Sequence, residues 1–175
     1  MAMLSFLTTG KKRIEGVVNI GHGTEYGKRA TELVEKYCAE KEVPFHFAQV
    51  TGSNEMEWRD ARREIYSKYS WVATAHHLDD VIEWWLMTSL RGSPKLTPVR
   101  SGNVVHPFLR TPKSELAHWC ERHHVPYLDD PTNVGNFNER AKIRVLMPSL
   151  LNIYPGIHTS IGNLLELRGD APPNE

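Results

Sequence analysis

The stretch WVATAHHLDDVIEWWLMTSLRGS, residues 71–93, decides the fold. A short, β-prone apolar run, WVATA (71–75), leads straight into a segment with helical periodicity that runs to about Leu90, and RGSP closes it. A strand feeding a helix is half of a βαβ unit. Working outward, IEGVVNI (14–20) and FHFAQV (45–50) are runs of the same kind, and each also precedes a helical pattern. After the first, Ala30, Leu33, Val34, Tyr37 and Cys38 fall at i, i+3, i+4, i+7 and i+8, which makes one apolar stripe. After the second, EMEWRDARREIYSKY is charged on most faces. The alternation predicts an α/β fold, a parallel sheet flanked by helices.

The second half changes character. Thr111 and Pro112 suit an N-cap and first turn for the helix that carries Leu116, Trp119 and Cys120. VPYLDDPTNVGNFN is rich in turn formers, and Asp130 and Asn133 flank a proline there. Helices are expected over about 139–150 and 156–167, with GDAPPNE as a frayed tail. At the other end, MAMLSFL has the look of a buried helix with Gly10 as its stop, so the α/β pattern opens on a helix and its first strand is expected to be missing.

Bulk composition narrows the function classes. A chain of 175 residues is about one domain's worth. Lys plus Arg and Asp plus Glu both number 21, so a nucleic-acid partner would be met by a local basic patch rather than by total charge. Cys38 and Cys120 lie far apart with no CxxC pair, which argues against a zinc ribbon and suits a reducing compartment. No apolar stretch is long enough for a membrane span, and MAMLSFLTTGKKR carries its charges after its apolar run, the reverse of a secretory signal. A cytoplasmic protein is expected. Trp58, Trp84 and Trp85, candidates for exposed or core positions alike, are the only pointer to a homodimer.

Three constellations carry chemistry. If the helix begins at the histidines, His76, Asp80 and Glu83 repeat at i, i+4 and i+7, with Asp79 at i+3, so they share a flank at the carboxyl end of a strand, where open α/β sheets bind ligands. Asp79 and Asp80 equally suit plain capping of a helix N-terminus, and the local pattern does not decide between the two. Adjacent histidines point about 100° apart on a helix, so no metal ligand set is assigned. Arg91 with Gly92 after that helix fits either a ligand-facing turn or an arginine satisfying the helix C-terminus. Arg140 and Arg144, at i and i+4, can present two guanidinium forks on one side, a geometry suited to phosphates and also to a solvated basic face.

TAHHLDDVIEWWLMTSLRGS (74–93), HPFLRTPKSELAHWCERHHVPYLDDPTN (106–133) and NERAKIRVLMPSLL (138–151) resemble, in order and spacing, the catalytic domain of tRNA(Ile)-lysidine synthetases, members of the PP-loop ATP pyrophosphatases. GHGTEYG (21–27) and EMEWRDARREIY (55–66) are similar to that family's HG and its E, AR and Y positions. The likeness covers residues 1–155, leaving 156–175 as a C-terminal helix and tail. It implies a Rossmann-like, adenine nucleotide alpha hydrolase-like sheet that uses ATP with Mg2+ to adenylate the wobble cytidine of an isoleucine tRNA with a CAU anticodon, after which free lysine displaces AMP. On that likeness His77, Asp80, Asp79 and Arg91 are catalytic, while His22, Gly23, His76 and Gly92 lie near the nucleotide. Arg62, Asp130, Asn133, Arg140 and Arg144 would then meet tRNA or nucleotide.

This sequence departs from the family in two places. The SGGxDS loop, whose glycines let backbone N–H groups cradle pyrophosphate, does not occur in these 175 residues. In relatives it immediately precedes a helix resembling MAMLSFL. Either Met1 is an internal methionine of a longer reading frame or the first strand and cradle have been discarded; a chain of these residues alone is expected to bind ATP weakly. Trp84 stands where the family carries Thr. Two other readings remain: a different PP-loop transferase such as a tRNA thiolase, poorly served by two distant cysteines, and a non-catalytic PP-loop scaffold that binds tRNA or a protein partner.

Overall fold

Strand and helix alternate as the apolar patterning requires. The computed structural model describes residues 1–10, 14–21, 23–52, 54–128 and 139–168. Its elements are α1 (Ala2–Thr9), β1 (Val17–Gly21), α2 (Glu25–Glu40), β2 (Phe45–Gln49), α3 (Glu55–Tyr66), β3 (Val72–Ala73), α4 (Leu78–Leu90), β4 (Arg100–Ser101), β5 (Val104–Val105), α5 (Lys113–Arg122), α6 (Glu139–Ile153) and α7 (Ile157–Leu167). The chain divides into two units, Met1–Trp71 with Ala117–Leu128, and Val72–Leu116 with Asp129–Glu175.

In the first unit β1 and β2 pair in parallel from Val17 opposite Phe45 to Gly21 opposite Gln49. A Cβ on Gly21 would meet the Phe47 ring at 2.8 Å, so a larger residue at the end of β1 would require that half-exposed ring to move. The Thr24 hydroxyl caps α2 by accepting the Gly27 N–H at 3.0 Å. The stripe expected on α2 is its buried face, and Tyr37 and Cys38 join Leu4, Cys120 and Val125 in a small core. Burial pushes both thiols up, which keeps them protonated and inert. Gly10 does cap α1, but in extended rather than left-handed backbone (φ −74). The turn is tied instead by hydroxyls: Thr8 donates to the Leu4 carbonyl and Thr9 to the Phe6 carbonyl, both at 2.9 Å.

The second unit is built round α4. β3 pairs in parallel with β5, Val72 opposite Val104 and Ala73 opposite Val105, and β4 adds antiparallel to β5. The β4–β5 hairpin turns on Gly102, whose φ of +61 is left-handed. Leu78, Val81, Ile82 and Trp85 recur at i, i+3, i+4 and i+7, and the first three are fully enclosed with Leu109, Met147, Ile161 and Leu165. α4 therefore lies against both α6 and α7. Among the described residues no helix is long and apolar enough to cross a membrane.

Two boundaries differ from expectation, the first through a local capping box and the second through a tertiary cap. α4 starts at Leu78 with His77 as N-cap, so His76 is not on the helix. α5 starts at Lys113, one residue later than a Thr111 cap would give, because the Lys113 N–H donates to the Asp79 carboxylate at 2.7 Å.

Ile82 has no exposed surface. Ile82→Ala is expected to lower unfolding free energy by about 2–5 kcal/mol in urea titrations, whereas Leu164→Ala, at a 40 % exposed position, should cost much less. Equal effects would show that α4, α6 and α7 do not share a tight core.

Candidate functional site

The carboxyl end of β3 hands residues 74–77 to the first turn of α4, and the side chains of that turn face three ways. Asp80 Oδ2 accepts the His77 N–H at 3.0 Å, one arm of a capping box. Asp79 Oδ2 accepts the Lys113 N–H, and its Oδ1 lies 3.3 Å from His158 Nε2 on α7. The His77 ring lies between the two carboxylates, 3.7 Å from Asp79 and 3.4 Å from Asp80, with its Nδ1 buried and lacking a hydrogen-bond partner among the described residues.

One turn further, Glu83 has a side chain only 4 % exposed. Arg144 grips it with both arms of its fork, Nε to Oε1 at 2.7 Å and Nη2 to Oε2 at 2.8 Å. Arg140 Nε donates to Glu83 Oε2 at 2.8 Å, and its Nη2 donates to Asp80 Oδ1 at 2.6 Å. Two guanidiniums and two carboxylates thus make a neutral, multiply hydrogen-bonded network under the start of α4. The i, i+4 spacing of Arg140 and Arg144 does put both forks on one side of α6. They are closed on protein carboxylates, where the sequence pattern suggested phosphates. Arg91, the C-cap of α4, likewise pairs with Glu139, and Gly92 follows in left-handed backbone (φ +79).

Behind the turn, the Thr74 hydroxyl lies between His76 and His106, 2.7 Å from Nδ1 of His76. His106 is buried. Burial first and the neighbouring His76 second push its ring down to about 4, against an opposing pull from Asp80.

The structure brings His76, His77, Asp79, Asp80, Arg91, Gly92, Arg140 and Arg144 into the second unit. Gly23, in left-handed backbone ahead of α2, and Arg62, on α3 beside Tyr66, belong to the first unit. His22, Asp130 and Asn133 lie outside the described residues. Among the tryptophans, Trp85 packs on the core of the second unit and Trp84 is 37 % exposed. Glu83, already on the polar flank with Asp80, is joined here by Thr74, His106 and His158, to which the sequence pattern does not point. Glu83 had a signal, a carboxylate inside the apolar run VIEWW; the two histidines had none beyond residue type.

No group of three or more His, Cys, Asp or Glu side chains among the described residues is arranged to hold a metal ion. Asp80 and Glu83 already carry guanidiniums, and Asp79 is engaged by an amide and an imidazole. The described residues therefore hold no preformed Mg2+ site made by the protein alone.

With this geometry in view, comparison with known proteins is informative. Residues 1–150 match the PP-loop domain family. The chain is 28 % identical over 161 residues to the tRNA(Ile)-lysidine synthase of Xylella fastidiosa strain Temecula1, covering 81 % of this chain and 37 % of that protein. It is 31 % identical over 149 residues to the tRNA(Ile)-lysidine synthase of Polaromonas naphthalenivorans, covering 73 % and 45 %. It is also similar to the bifunctional protein TilS/HprT of Listeria innocua, 26 % identical over 185 residues, covering 90 % of this chain and 28 % of that protein. The chain spans less than half the length of these curated relatives. Among solved structures, the U34-tRNA thiolase NcsA from Methanococcus maripaludis, with its [4Fe-4S] cluster, superposes with a TM-score of 0.72 over 99 % of this chain and 70 % of that one. At 19 % identity that likeness establishes the α/β fold alone.

His106 ties stability to pH. Its folded value of about 4 lies below the ordinary 6.5, so its contribution is complete above pH 6.5 and is lost as pH falls from there through 4. Urea titrations across this window are expected to show a decline of at most about 3 kcal/mol from this group, and His106→Asn should flatten it. An unchanged slope in the variant would remove His106 as the cause.

Proposed function

The chain belongs to the PP-loop domain family, and on that premise we propose that it is the ligase domain of a tRNA-modifying enzyme of the lysidine-synthetase kind. In this reading ATP adenylates the wobble cytidine of an isoleucine tRNA with a CAU anticodon. Pyrophosphate leaves, and the amine of free lysine then displaces AMP. ATP, lysine and tRNA are the substrates, and a tRNA substrate implies a cytoplasmic protein.

The observation that carries the proposal is the grouping of Asp80 and Glu83 with Arg140 and Arg144 at the carboxyl end of a parallel strand. A reaction joining an ammonium-bearing amino acid to a polyanion needs both signs of charge at one place. Carboxylates seat the lysine ammonium, and guanidiniums bear charge developing on the phosphates. His77 and Asp79, held against the same turn, form the reacting face with Asp80. Arg91 and Gly92 lie toward the phosphates or the activated base. His22, Gly23 and His76 are assigned to nucleotide binding, and Arg62, Asp130 and Asn133 to tRNA.

Mass spectrometry of nucleosides from isoleucine tRNA tests this in cells with and without the gene. Loss of lysidine, with cytidine in its place, is the expected result. Unchanged lysidine, or loss of a thiolated base instead, would overturn the proposal. Unchanged lysidine combined with salt-dependent tRNA binding by the purified chain would establish the scaffold reading.

A further inference from the structure

Backbone pairing at the end of β3 continues for one residue more, because the Thr74 N–H donates to the Val105 carbonyl at 3.0 Å. The next residue along that neighbouring strand, His106, turns its own N–H to the Val99 carbonyl at 2.8 Å. The sheet register thus sets Thr74 beside His106, 32 positions away in sequence. Thr74 Oγ1 stands 2.7 Å from His76 Nδ1 and 2.5 Å from His106 Nδ1. The two rings meet edge to face with centroids 4.8 Å apart. One ring is buried and the other is exposed.

A hydroxyl has one proton to give, and a neutral imidazole has one N–H and one lone pair. Oγ1 can donate to only one of the two Nδ1 atoms and must accept from the other. We propose that Thr74 Oγ1 joins the two rings into an imidazole–hydroxyl–imidazole bridge, in which Thr74 and buried His106 are positioning residues that fix the orientation and tautomer of exposed His76.

Two arrangements satisfy the bridge. When His106 Nδ1–H donates to Oγ1, the hydroxyl donates to His76 Nδ1, and His76 carries its proton on Nε2. When His76 Nδ1–H donates to Oγ1, the hydroxyl donates to His106 Nδ1, and His106 carries its proton on Nε2. In both, the rings hold opposite tautomers, so one of them is in the Nδ1–H form that unconstrained histidine disfavours. A buried, neutral His106 suits this role because it neither repels His76 nor brings a charge into the sheet. The same logic orients metal-bound histidines, whose second nitrogen is set by an outer partner. Here the partner is a threonine held by the backbone register, so the device costs no extra loop.

The bridge matters for the proposed reaction, and in that respect alone it rests on the preceding reading. With His76 beside the nucleotide, its tautomer decides whether the second ring nitrogen donates to a phosphate oxygen or accepts a proton. The bridge itself requires neither nucleotide nor tRNA.

Long-range 1H–15N correlation NMR on the full chain without ligands, at a pH where both rings are neutral, reads each tautomer directly. The expected spectrum has one of the two rings in the Nδ1–H form and the other in the Nε2–H form. Thr74→Ser, which keeps the hydroxyl, should retain this pattern. Thr74→Val should abolish the Nδ1–H signal and return both rings to Nε2–H. The same tautomer on both rings of the unaltered chain would overturn the proposal, and this result needs no variant to fold. A Thr74→Val chain that folds and keeps the original pattern would overturn it too. Loss of the lysidine assignment in cells would leave these spectra unchanged, and failure here would leave that assignment standing.

Discussion

The carboxylate of Glu83 is the constraint on which the second unit depends. It sits on the core-facing half of α4, flanked by Val81, Ile82 and Trp85, and only 4 % of its side chain reaches water. An unpaired carboxylate there would cost several kcal/mol, and the fold avoids that by delivering two guanidiniums from α6 to its two oxygens. Such a network is not a large source of net stability. Its effect is to make one placement of α6 against α4 far better than its neighbours, because any shift of the helix leaves buried charge unpaired.

From that anchor the rest of the site follows. Arg140 reaches from Glu83 to Asp80, and Asp80 in turn closes the first turn of α4 by accepting the His77 N–H. Asp79 spends its oxygens on the start of α5 and on His158 of α7. Both aspartates therefore act as caps, and on the proposed reading the same carboxylates would also serve the site's chemistry. These charges are already paired, so in the proposed reaction substrate charges would compete with existing ion pairs. A lysine ammonium would compete with guanidinium for Asp80 and Glu83, and a phosphate would compete with those carboxylates for Arg140 and Arg144. On the proposed reading this competition would favour ligands that bring both signs of charge.

How much of this could be read from residues alone follows the range of the interaction. The α/β alternation and the apolar faces of α2 and α4 are local, period-based features, and the expected stripes are the buried ones. The β4–β5 hairpin has no sequence signature, because strands of two residues carry no periodicity. The start of α5 depends on Asp79, 34 positions away, which caps the Lys113 N–H, while that of α4 is set by the His77–Asp80 capping box. His76 accordingly lies off the helical flank it is expected to share with Asp80 and stands with Thr74 and His106 just beyond the ends of β3 and β5. The i, i+4 geometry of Arg140 and Arg144 was legible, but their partners, 57 to 61 positions distant, were not. Glu83 is the instructive case: a charged residue inside VIEWW demanded a buried counter-charge, and the arginine pair of RAKIR was there to supply it.

A double-mutant cycle on Glu83→Gln and Arg144→Gln, followed by urea unfolding of the four proteins, tests the central claim that this pair fastens α6 to α4. The account predicts that each single substitution destabilises and that the effects are strongly non-additive, with a coupling of about 1 kcal/mol or more, since the second change relieves the charge stranded by the first. Single effects that simply add, to within about 0.3–0.5 kcal/mol, would mean that the two side chains act independently and would contradict it.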